Sequence, residues 1–136
     1  MNVTATWKGK LKFVSANSAG RTVEIDGKKA AGGDESAQSP KELVLSGLAG
    51  CTAMDVISIL GKMRALPEGL RVEVEAQQSE QPPKVFKKIH LKYLVKGEIP
   101  EEKLQRAIEL SQEQYCGVSE MLRKSAELTY EFVYEK

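Results

Sequence analysis

The stretch SPKELVLSGLAGCTAMDVISIL, residues 39–60, decides the fold. It reads as one long helix. Ser39 fits the N-cap, Pro40 the first helical position, and Glu42, three residues after the serine, completes a capping box. Leu43, Val44, Leu45, Leu48, Ala49, Met54, Val56, Ile57, Ile59 and Leu60 place apolar groups nearly all round it, so the helix is expected at the buried centre of the fold. Gly47 and Gly50 each cost roughly 1 kcal/mol of helix propensity against alanine. They also let another segment approach Cys51 closely. Lys62, Arg64 and Pro67 end the helix.

Upstream, Val3, Ala5 and Trp7 alternate, LKFV resumes the pattern after Lys8-Gly9-Lys10, and RTVEIDG forms a third short strand. KKAAGGDESAQ is a small-residue polar loop, long enough to be functional or mobile. Downstream, GLRVEVEAQ sends Val72, Val74 and Ala76 to one side, and KVFKKIHLKYLVKG does the same with Val85, Ile89, Leu91, Tyr93 and Val95. A second helix opens around Glu98–Glu102, with acidic residues suited to its dipole. The chain breaks at Cys116-Gly117, VSEMLRKSA gives a short third helix, and ELTYEFVYE a last strand with Leu128, Tyr130, Phe132 and Tyr134 on a core-facing stripe. Strands, helix, strands, helices and strand imply an α+β fold with antiparallel sheet over buried helices.

The chain has 136 residues, which suits a single domain spanning 1–136. With 20 Lys+Arg against 19 Asp+Glu, there is no general electrostatic case for nucleic acid or an anionic membrane. The N-terminus, MNVTATWKGKLKFV, lacks a signal-peptide core. The longest charge-free run, Leu43 to Met54, is twelve residues, short of the roughly 20 that span a bilayer. The expectation is a cytoplasmic protein. Without CxxC or CxxH, and with one histidine, neither a zinc site nor any other metal is expected.

Two cysteines in a reducing compartment are either inert and buried or reactive. Cys116 sits where one helix ends and the next begins, and free N–H groups there would favour its thiolate. Cys51, in mid-helix, needs a nearby cation instead. Asp55 shares its helix face one turn on, and a carboxylate there opposes the thiolate. Its simplest reading is a hydrogen-bonded or helix-edge acid. His90 falls on a lysine-rich strand face and reads as solvated.

The helix SPKELVLSGLAGCTAMDV, then PPKVFKKIHLKY, then ELSQEQYCGVSEML resemble the OsmC/Ohr superfamily of thiol-dependent organic hydroperoxide reductases. The likeness covers nearly the whole chain, and its most specific pieces are the proline-headed helix with a central Cys and the later C-x-V-S. It implies antiparallel sheets wrapped around long buried central helices in an intertwined homodimer, with sites at the subunit interface. It implies Cys51 as the peroxidatic thiolate and Cys116 as the resolving thiol that forms a disulfide with it. An external dithiol, such as a lipoyl group, then reduces that disulfide, and no bound cofactor takes part. Organic, fatty-acyl-type hydroperoxides are the implied substrates; nucleic acid and membrane are not implied partners.

Two further family positions fit differently. Arg21, in SAGRTV, stands near where the family carries a thiolate-stabilising Arg. The family's arginine-holding Glu follows the helix-heading proline, where this chain has Lys41, and the acid comes one later, at Glu42. Nine residues before Cys51 on a straight helix, Glu42 lies about 180° around from it. That makes it better suited to capping. The departure implies a divergent OsmC-like branch. Its rival is a weakly or non-catalytic protein that binds a small hydrophobic molecule, or a thiol redox sensor or small-thiol carrier.

Overall fold

The computed structural model describes all residues, 1–136. They form two compact units, Met1–Leu45 and Ser46–Lys136.

The first unit is a meander of β1 (Val3–Trp7), β2 (Phe13–Asn17) and β3 (Thr22–Ile25), antiparallel throughout. Trp7 pairs with Phe13, and the loop between them is closed by the Trp7 indole donating to the Lys10 carbonyl at 2.8 Å. Asn17 shapes the second turn: its side-chain oxygen accepts from the N–H groups of Ala19 and Arg21. The loop after β3, expected as a polar segment long enough to be functional or mobile, is tied down by Asp26. That buried carboxylate accepts from the Gly27 and Ser36 N–H groups and from the Ser36 hydroxyl at 2.6 Å. A Cβ at Gly33 would collide with the Gly27 carbonyl, so only glycine fits that crossing.

Helix α1 runs Pro40–Lys62 as the capping box predicts. The Glu42 carboxylate accepts from the Ser39 N–H at 3.0 Å and its hydroxyl at 2.9 Å, and the Glu42 N–H reaches the Ser39 hydroxyl. At 23 residues α1 is long and apolar enough to cross a bilayer, more so than its charge-free run suggested. In this chain one stripe of it is buried in protein: Leu48, Thr52, Val56 and Leu60, spaced at i, i+4. Val44, Met54 and Ile57 are exposed, so the all-round burial expected of this helix does not occur within a single chain.

In the second unit β4 (Gly69–Gln78) pairs antiparallel with β5 (Phe86–Lys96). On β5, Ile89, Leu91, Tyr93 and Val95 are buried, as the alternation predicts, while Val85, expected on the same face, precedes the strand and is exposed. The sheet departs from expectation at β6 (Glu127–Glu135), which pairs with β5 in parallel, so this sheet is mixed. The reason is the connection: α2 (Glu101–Leu110) and α3 (Gly117–Arg123) intervene, and a crossover of that length returns the chain in the same direction. As an edge strand, β6 leaves Tyr130 and Tyr134 exposed and half-buries Leu128 and Phe132, so its stripe is not core.

Candidate functional site

All parts of the site lie in the second unit. Between α2 and α3 the chain makes a single π-helical turn, Ser111–Tyr115, closed by the Cys116 N–H donating to the Ser111 carbonyl at 2.7 Å. The extra residue in that turn rotates Cys116 out of the helix and into the N-cap of α3. There its sulfur accepts from the Ser119 N–H at 3.4 Å, and the residue is buried. Cys51, half-buried on α1, faces it. The Sγ atoms of Cys51 and Cys116 and a carboxylate oxygen of Asp55 all lie within 4.8 Å of one another. Both thiols are free.

The Cys51 thiol is pushed above its ordinary value, first by burial. A hydrogen bond from the Val118 N–H works the other way. A hydrogen bond to the Cys116 sulfur, that sulfur's charge and the Asp55 carboxylate then raise it further. Asp55 therefore acts as the sequence suggested, against the thiolate, and as a hydrogen-bonded acid.

Behind this cluster runs a buried polar chain. The Ser111 hydroxyl donates to Asp55 Oδ2 at 2.9 Å. With that proton committed, the 2.8 Å contact between Thr52 and Ser111 must carry the threonine proton, and the 2.6 Å contact between Tyr93 and Thr52 the phenol proton. The Gln112 amide donates to both Tyr93 and Thr52, and Arg123 donates to the Gln112 carbonyl groups. Every hydrogen bond thus points toward Asp55. Burial pushes the Tyr93 phenol up to about 12, although Thr52 and Gln112 act in the opposite direction, so it keeps its proton, donating to Thr52 while accepting from Gln112. The chain fixes the carboxylate beside the two sulfurs, and it leaves Thr52 and Ser111 satisfied inside an apolar region.

Of the residues singled out from sequence, the structure brings together Cys51, Asp55 and Cys116. Arg21 and Glu42 belong to the first unit. Arg21 is exposed next to β3, and Glu42 is engaged in the cap of α1. His90, expected to be solvated, has both ring nitrogens occupied, at 2.7 Å from Thr129 Oγ1 and 2.6 Å from Glu131 Oε2. It borders an open polar hollow of about 600 Å³ with Glu75, Lys88 and Glu127. Tyr93, Thr52, Ser111 and Gln112 were missed. A threonine beside Cys51 in an otherwise apolar stripe was the one available signal.

The OsmC-like protein family model matches residues 32–131. The chain is 34% identical to Protein YhfA of Escherichia coli K12 over 133 residues, covering 97% of this chain and 96% of that one. A hypothetical protein from Aquifex aeolicus has the same fold, with TM-score 0.82 at 27% identity and coverage of 99% and 97%. So does an organic hydroperoxide resistance protein OsmC from Legionella pneumophila, with TM-score 0.72 at 16% identity and coverage of 97% and 96%.

Proposed function

The chain belongs to the OsmC-like family, and on that premise we propose that it is a thiol-dependent peroxidase reducing organic, fatty-acyl-type hydroperoxides to alcohols in the cytoplasm. The observation that supports this reading most is the juxtaposition of two free thiols, one half-exposed on an apolar helix and one buried beneath it, within 4.8 Å.

The Cys51 thiolate attacks the outer peroxide oxygen, the alcohol departs, and Cys51 becomes a sulfenic acid. Cys116 then attacks the Cys51 sulfur, expelling the oxygen as water and forming the disulfide. That bond needs a sulfur separation near 2.05 Å, so the sulfurs close a short gap. An external dithiol, lipoyl in class, restores both thiols by exchange and leaves oxidised. No bound cofactor is called for. The Val118 N–H steadies the Cys51 thiolate, while burial and Asp55 oppose it. The family resemblance implies Arg21 as the thiolate-stabilising residue. Glu42 contributes through the helix cap. The exposed apolar residues of α1, Val44, Met54 and Ile57, support a homodimer in which that face is covered.

The test is turnover of cumene hydroperoxide with dihydrolipoamide by wild type, Cys51→Ser and Cys116→Ser. Wild-type turnover lost in Cys51→Ser supports the peroxidase. Equal turnover in Cys51→Ser would sink it. A second reading is favoured by Lys41 in the family's glutamate position and by the raised Cys51 thiol: a protein that binds a small apolar molecule, or senses redox state, without turnover. A co-purifying apolar ligand and two persistently free thiols after peroxide treatment would select it.

A further inference from the structure

The site gathers two sulfurs and a carboxylate, and the residues donating to them are neutral: Val118, Ser119 and Ser111. A catalytic thiolate gains nothing from the carboxylate. A cation gains all three groups. We propose that the reduced site binds a zinc-class divalent cation through Cys51 Sγ, Cys116 Sγ and one Asp55 oxygen, with a fourth position left to water.

The donor set suits that ion, which takes thiolate and carboxylate oxygen together and commonly keeps an open position when the protein supplies three ligands. Tetrahedral bonds of about 2.3 Å to sulfur set the two sulfurs about 3.8 Å apart. Atoms already within 4.8 Å reach that by moving about 1 Å. The supporting shell is in place. The Ser119 N–H holds the Cys116 sulfur, and Ser111, itself held by Thr52 and Tyr93, orients the carboxylate. Cys51 and Asp55 are half-exposed, which gives the ion an entry path.

Binding replaces two thiol protons, which pass to solvent. Its regulatory consequence rests on the peroxidase reading: the zinc-bound pair, one hydroperoxide and two protons give the disulfide, one alcohol, one water and free zinc. The ion would hold the thiols in reserve, and oxidation would release it.

The experiment is zinc titration of fully reduced protein, with cobalt(II) as a spectroscopic stand-in, on wild type, Cys51→Ser, Cys116→Ser, Asp55→Asn and Ser111→Ala. Wild type should bind one zinc, and its cobalt form should show thiolate charge-transfer absorption that each Cys→Ser variant lacks. Asp55→Asn, nearly isosteric, should weaken binding at least about tenfold, and Ser111→Ala about 10–100-fold. No zinc retained by reduced wild type, or equal retention by all variants, overturns the inference. The titration uses no peroxide. A protein that turns over cumene hydroperoxide yet binds no zinc refutes this inference alone, and one that binds zinc without turnover refutes only the peroxidase.

Discussion

The two compact units carry the same alternating strand chemistry and come to opposite ends. In the first, β1 is exposed along its whole length, with Trp7 at 64% exposure and Val3 and Val23 also open. In the second, Leu91, Tyr93 and Val95 of β5 have no exposure at all. Alternation fixes which residues share a face, but burial needs a second layer. The second unit has one: Thr52 of α1 and Gln112 of the π-helical turn bond directly to Tyr93 of β5.

The sharpest way to break this contrast is matched truncation. Leu91→Ala should cost about 2–5 kcal/mol in urea unfolding followed by circular dichroism, whereas Val23→Ala, on an exposed strand, should cost no more than about 0.5 kcal/mol. Equal losses would mean that the first unit is buried in solution by something the single chain lacks, which is itself a test of the homodimer. Next in size is Gln112→Ala. It leaves buried hydroxyls short of a donor and should cost about 1–3 kcal/mol by the same measurement.

A smaller effect separates the thiol site from the packing around it. Asp55→Asn removes a charge that raises the Cys51 thiol, so alkylation of Cys51 by iodoacetamide at neutral pH should become severalfold faster. In wild type that rate should climb with pH past the ordinary thiol value; a profile levelling off below it would contradict the raised thiol.

The smallest effect belongs to the first unit. Hydrogen bonds from Ser36 hold the Asp26 carboxyl down to about 2. A depressed carboxyl contributes stability above its unfolded value, near 3.9, and that contribution is lost as pH falls through about 2. Trp7, the only tryptophan, reports this unit by its fluorescence. Its emission should shift between about pH 4 and 2 in wild type and lack that titration in Asp26→Asn. An identical acid profile in the variant would remove Asp26 as the clamp.

Much of this was legible beforehand. The Ser39–Glu42 box placed the start of α1, the strand alternation placed the buried face of β5, and the Cys-Gly break placed Cys116 at a helix boundary. Three features were not legible, each for a physical reason. The parallel pairing of β6 depends on a crossover, which a local pattern does not encode. The half-exposure of its aromatic stripe depends on its place at the sheet edge. The π-helical turn that aims Cys116 depends on one residue too many between two helices, and SQEQY reads equally well as ordinary helix. The polar chain from Gln112 to Asp55 joins residues from three elements, so only Thr52, out of character in its stripe, hinted at it.

The most direct test of the central claim is a single-turnover oxidation of fully reduced protein with one equivalent of cumene hydroperoxide, read by intact mass and peptide mapping. The redox-pair reading predicts loss of two hydrogens and a peptide cross-linked through Cys51 and Cys116. An unchanged mass with both thiols still free, or a stable adduct on Cys51 with Cys116 untouched, would contradict it.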